Sequence, residues 1–284
     1  MTGHGDPDTM AFMLHRASLT PGNKHAGKDA APSGNAQTKL ALLITLLFLG
    51  GCIEIRVPDP KVRYVAFGDS STLGPSKRNY LDFLPSLLGE APELFANEGR
   101  SGESSEDGLV RLKTMFADEI YPNAEVLLYW EGGNDISDFL KDHDPFLLTS
   151  PDDADYPLSE ELASRLLQVQ ESIESAIAAA RNNHLQVLVA TYFFLREDFA
   201  KCDALPIPVI LPSQARNANA YLTRLNERIR MAAANQNAVL VDVTTIDDEL
   251  RRDQANYFDC NHLSEQGNAI VANLFFHTII QPTN

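Results

Sequence analysis

Four short stretches of the chain hold residue types that suit nucleophilic attack on a carbonyl. Gly68-Asp69-Ser70 closes an apolar run, so Ser70 falls on a strand-to-helix turn with its hydroxyl exposed and its N–H near a helix start. A serine needs a base, and beyond Cys52 only His143, His184, His262 and His277 are available. His277 lies among Phe275, Phe276 and Ile279 and reads as packed. His184 ends a helix, and His143 lies in an acidic, solvated stretch. His262 differs, because Asp259 precedes it by three residues and can reach back to its Nδ1–H, fixing the tautomer and stabilising the imidazolium. An oxyanion would need donors. Asn97–Ser105 (NEGRSGESS) can expose the Gly102 N–H, and Gly132-Gly133-Asn134-Asp135 can aim the Asn134 amide into the same crevice. Taken singly, each stretch also reads as ordinary structure: Ser70 as a helix cap, Asp259 as an Asx turn, the others as loops.

The elements that must position these residues alternate. Val62–Phe67, Ala124–Trp130, Gln186–Phe194 and Ala238–Val243 read as buried strands. Helices are expected from Tyr80 to Leu88, from Glu160 to Asn182 capped by Ser159, from Asn217 to Gln236 and from Ser264 to Ile280. Such alternation predicts an α/β chain with a parallel sheet covered on both faces, a three-layer α/β/α domain over residues 62–284. Ligands of such sheets bind beyond the carboxyl ends of the strands, which is where the four stretches fall. The connections at 141–158 and 196–213 are long enough to shape a pocket. Asp142, Asp144, Asp152, Asp153 and Asp155 fit no EF-hand spacing and read as a solvated loop rather than a metal site.

Together, the four stretches resemble the sequence blocks of the SGNH (GDSL-like) serine hydrolases, from about Tyr64 to the last helix. Ser70 matches the nucleophile, Gly102 and Asn134 match the oxyanion donors beside the Ser70 N–H, and Asp259 and His262 match the D-x-x-H block. The resemblance implies a flavodoxin-like sheet and an esterase or acylhydrolase that cleaves a carboxylic ester or thioester through an acyl-enzyme, with no cofactor and no metal. Two departures stand out. Ser71 occupies a position usually held by leucine, and Gly99 offers a second glycine in the Gly102 block. The G-x-S-x-G elbow of the α/β-hydrolases is absent. An acyltransferase with the same triad and a non-catalytic envelope-binding lipoprotein are the alternatives.

The N-terminal region has its own pattern. Lys39 precedes Leu40–Leu49, an uncharged apolar run of export-signal length, too short to span a bilayer. Leu49-Gly50-Gly51-Cys52 resembles a bacterial lipobox. The expectation is a leader and signal peptide over 1–51, a lipidated Cys52 and a tether over 52–61. The protein would then be an exported lipoprotein of the bacterial cell envelope, held to the membrane by its lipid. Ile53 after the cysteine resembles outer-membrane sorting. Cys202 and Cys260 are expected to form a disulfide, with two buried thiols as the alternative. The net charge of −16 disfavours nucleic acid as a partner. A small-molecule, lipid or carbohydrate ester is the expected substrate.

Overall fold

Apolar runs that stop at glycine or a polar turn become the strands of one sheet. In the computed structural model, residues 56–198 and 209–281 are described. Cys52, the export signal and Cys202 lie outside them. Strand β1 is Tyr64–Gly68, β2 Phe95–Gly99, β3 Val126–Trp130, β4 Gln186–Ala190 and β5 Val239–Val241. They pair in parallel in the order β2-β1-β3-β4-β5. This is the flavodoxin-like order, and its topological switch point lies between β1 and β3. Every residue of β1 and of β3 is buried, as expected of inner strands covered on both faces.

The covering helices are amphipathic. Helix α1 is the single turn Ser70–Leu73, α2 Leu84–Leu88, α3 Ser105–Ala117, α4 Gly133–His143, α5 Ser159–Asn182, α6 Pro212–Asn235, α7 Asp247–Arg252 and α8 Glu265–Ile280. Helix α5 buries Leu162, Leu166, Val169, Ile173 and Ile177 on one stripe and packs between α3 and α6. Helices α2 and α8 pack together as the other layer. Trp130, at the end of β3, sits among Tyr80, Tyr192, Phe193 and Phe275, with ring centroids 5.6–6.4 Å apart. These aromatics tie the site end of the sheet to α8.

The three-layer architecture is the one expected, and several details differ. The sheet has five strands where the sequence reading finds four. Phe95–Gly99 (FANEG) escapes that reading because it is an edge strand with one large apolar residue. Helices α3 and α4 start within stretches that read singly as loops and run on through residues to which the sequence reading gives no helix. The third expected strand ends at Ala190 rather than Phe194, because the Asn226 side chain binds Tyr192 N and O at 2.7 and 2.8 Å and draws the chain off the ladder. Ser159 is the first residue of α5 and makes no capping bond, whereas Ser264 caps α8 through Gln266 N and Gly267 N. Residues from Arg56 to Lys61, read as tether, hydrogen-bond to the domain, for example Asp59 N to Ile120 O at 2.8 Å.

Candidate active site

The switch point places β1 and β3 side by side, and the residues that follow each strand open into one crevice. Asp69 caps α1 by accepting from Ser71 N at 2.7 Å. Its other oxygen accepts from the Tyr192 hydroxyl at 2.6 Å. This clamp fixes the turn that carries Ser70. Burial pushes the Asp69 carboxyl above its ordinary range against the pull of those two hydrogen bonds. Ser70 is the first residue of α1, so its N–H has no intrahelical acceptor and stays available.

The base comes from the loop before α8. His262 Nε2 lies 3.0 Å from Ser70 Oγ, and His262 Nδ1 lies 2.8 Å from Asp259 Oδ2. Asp259 is 4% exposed, and its Oδ1 also accepts from the backbone N–H groups of Asn261 and His262 at 3.0 and 2.9 Å. Burial alone would raise this carboxyl. The hydrogen bonds and charge of His262, with the two amides, outweigh it and hold Asp259 below the ordinary carboxylate range. With Asp259 ionised, Nδ1 carries the proton and Nε2 is left to accept from Ser70. The Tyr257–Leu263 bridge and the bond from Phe258 N to His262 O at 2.9 Å close the loop on itself.

Facing Ser70 across the crevice are two further segments. Gly102 has φ 78°, a conformation that favours glycine, and a Cβ there would meet open space. Its glycine therefore serves backbone shape, and the residue lines the cavity beside Ser70. Gly99 is a glycine for another reason. A Cβ there would come 2.2 Å from Leu73 N, so it lets β2 approach α1, and its own N–H is taken by Asn97 Oδ1. Asn134, in the first turn of α4, donates through Nδ2 to Glu103 O at 2.9 Å. That bond orients the amide and leaves its second N–H for the cavity. Asp135 next to it accepts from Ser105 N at 2.7 Å and joins α4 to the start of α3.

The crevice opens into a cavity of about 310 Å³. Ser70, Gly102, Asn134 and His262 lie on its wall, and Ile136, Leu140, Leu195, Ala218 and Leu222 supply an apolar side. The structure thus brings together Ser70, Gly102, Asn134, Asp259 and His262, each expected from sequence. Cys260, buried beside His262, also lines the cavity, and its expected pairing with Cys202 falls outside the described residues. Tyr192 is not found from sequence, since it reads as part of a strand; a polar ring closing an apolar run is the available signal. The other three histidines among the described residues are not part of the cavity lining. His143 and His184 are exposed, and so is His277, which the sequence reading packs: its ring lies on the outer face of α8 against Phe276. Asp144 is buried rather than solvated, accepting from Leu148 N and from Thr149. Among the described residues no group of His, Cys, Asp and Glu is arranged to hold a metal.

The model of the GDSL-like lipase/acylhydrolase family matches residues 66–270, which span all four stretches. No curated protein sequence matches significantly. Solved structures resemble the chain in fold. One is a lipolytic G-D-S-L family protein of Veillonella parvula, with TM-score 0.54 and 17% identity, covering 78% of this chain and 99% of that one. A lipase/acylhydrolase of Enterococcus faecalis has TM-score 0.51 and 17% identity over 78% of this chain and 99% of that one. A catalytic mutant of an acetylxylan esterase of Geobacillus stearothermophilus has TM-score 0.51 and 18% identity over 79% and 96%.

Proposed function

The chain belongs to the GDSL-like lipase/acylhydrolase family, whose members hydrolyse esters, and from that premise we propose a specific mechanism and substrate class for it. Ser70 is the nucleophile, His262 the general base and acid, and Asp259 the residue that orients His262. The observation that carries this is the unbroken chain Asp259–His262–Ser70, at 2.8 and 3.0 Å. His262 Nε2 takes the Ser70 proton as Oγ attacks the ester carbonyl. The oxyanion is held by the N–H groups of Ser70 and Gly102 and by the second N–H of Asn134. Each such donor is worth about 3–4 kcal/mol of transition-state stabilisation. The leaving alcohol takes the proton from His262. Water, activated the same way, then releases the acid and restores Ser70.

The apolar wall indicates the acyl group. Ile136, Leu140, Leu195, Ala218 and Leu222 offer no hydrogen-bonding side chain, so that side suits an alkyl chain rather than a sugar. A p-nitrophenyl ester series from acetyl to long acyl tests this. The expected result is a rise in kcat/KM from acetyl to medium chains, with no turnover by Ser70→Ala. Preference for acetyl, or activity that persists in Ser70→Ala, overturns the reading.

The export signal and lipidated Cys52 rest on residues Lys39–Cys52 alone. On that reading the enzyme is an envelope lipoprotein. Metabolic labelling with an alkyl-fatty-acid probe should mark the full chain and fail with Cys52→Ala; equal labelling of both would refute it.

A further inference from the structure

Behind the oxyanion segments lies a carboxyl group that the mechanism does not use. Glu131 follows β3 directly and immediately precedes the Gly132-Gly133-Asn134 turn. It is 1% exposed, and neither carboxyl oxygen has a hydrogen-bond donor among the described residues. The groups facing it come from several elements: Asp69 from the β1–α1 turn, Glu103 before α3, Arg111 on α3, Tyr129 on β3 and Tyr192 after β4. The cation here, Arg111, is engaged mainly by other carboxylates: its Nη1 makes no hydrogen bond, and none of its nitrogens donates to Glu131. Arg111 donates through Nε to Glu103 Oε1 at 2.7 Å, binds Glu103 Oε2 as well, and lies 3.5 Å from Glu98 Oε2. Its guanidinium stacks on Phe67.

An ionised Glu131 would therefore be a buried charge with no hydrogen-bond donor and only the weaker pull of Arg111 to offset it, which is costly. A neutral Glu131 would have a proton to donate, and an acceptor is at hand. A Cβ built on Gly108 would stand 2.9 Å from Glu131 Oε1 and 3.5 Å from Glu103 Oε2, so both carboxyls border the same small space beside α3 and act on each other there. Two carboxylates there could only repel; one carboxylic acid and one carboxylate form a strong hydrogen bond. Burial, the Asp69 charge and the contact with Glu103 all act to keep the Glu131 proton on.

We infer that Glu131 is a positioning residue of the oxyanion site: as a neutral acid it hydrogen-bonds Glu103 and ties the segment carrying Asn134 to the segment carrying Gly102. The geometry gives it two handles. Its backbone leads into Asn134, and Glu103 follows Gly102 directly and offers the carbonyl that orients the Asn134 amide. Glu131 is absent from the cavity wall, so it acts through these neighbours and not on substrate.

This inference rests on the oxyanion roles proposed above. The test compares the wild-type chain, Glu131→Gln, Glu131→Leu and Ser70→Ala on one p-nitrophenyl ester, with near-ultraviolet circular dichroism to confirm the fold. Glu131→Gln cannot ionise but can still donate to Glu103. It should keep kcat within about threefold, while Glu131→Leu should lose about tenfold or more in kcat at nearly constant KM. The infrared difference between wild type and Glu131→Gln at pH 7 should contain the C=O band of a protonated carboxyl. No such band, an unchanged kcat in Glu131→Leu, or a kcat in Glu131→Gln as low as in Glu131→Leu each overturns the inference. Should Glu131→Leu fail to fold, the band and the kcat of Glu131→Gln decide it. Activity surviving in Ser70→Ala would instead refute the site reading, on which the infrared band does not depend.

Discussion

Asp259, behind the base, and Glu131, behind the oxyanion segments, are both carboxylic acids with almost no exposed surface, yet one is held ionised and the other is pushed toward its neutral form. Asp259 is met by two backbone N–H groups and the His262 ring, and it is held ionised. Glu131 meets no donor, faces Asp69 and Glu103, and is pushed well above the ordinary carboxylate range, first by burial. Burial pushes both carboxyls up, Glu131 the more strongly, and only Asp259 has the donors that outweigh it. The base side makes its own donors, because Asp259 and His262 share one tight loop. The oxyanion side is assembled from two distant segments over a buried set of carboxyls served by Arg111.

The sharpest way to break this contrast is Asp259→Asn, which keeps the shape but removes the charge that fixes the His262 tautomer. Steady-state kinetics at neutral pH should show kcat falling by about 10⁴. A loss of only a few-fold would mean that Asp259 is structural. On the other side, Asn134→Ala should lower kcat by about 10²–10³ with a small change in KM. A pure KM effect would assign Asn134 to substrate binding instead.

The two glycines of the second block sharpen the comparison through stability. Gly99→Ala drives a methyl into Leu73 N and should cost about 3 kcal/mol or more in urea unfolding. Gly102→Ala meets open space and suffers only from its φ, about 1 kcal/mol. Equal costs would show that the segment relaxes around Leu73.

The smallest effect is the pH dependence. Asp259 is depressed in the folded state, so its stabilisation is complete above the unfolded value near about 4 and fades as pH falls through the folded value. Glu131 is raised, so the folded chain keeps a proton that the unfolded chain releases above about pH 4.3. Stability therefore declines with rising pH through this group. Glu131→Gln, having no proton to release, should unfold at higher urea than wild type at pH 7, and the gap should close by about pH 4. A gap that is independent of pH would contradict the neutral acid.

Much of this is legible in the chain itself, for physical reasons. Inner strands such as Leu127–Trp130 are continuous apolar runs because both their faces are covered. Ser70, Asn134 and the Asp259–His262 pair can be found because each sits within a few residues of the turn that presents it. The edge strand Phe95–Gly99 lacks that apolar signal. Tyr192 and Glu131 are hidden for a related reason. Both close apolar strands, and only their tertiary neighbours, Asp69 for one and Glu103 for the other, give them a role. The choice between Gly99 and Gly102 likewise needs Leu73 in place.

The most direct test of the central claim is labelling with a fluorophosphonate followed by peptide mass spectrometry. One adduct is expected, on Ser70 of the wild-type protein, slowed by orders of magnitude in His262→Ala and absent in Ser70→Ala. An adduct on another serine, or labelling of Ser70 at an equal rate without His262, would contradict the triad.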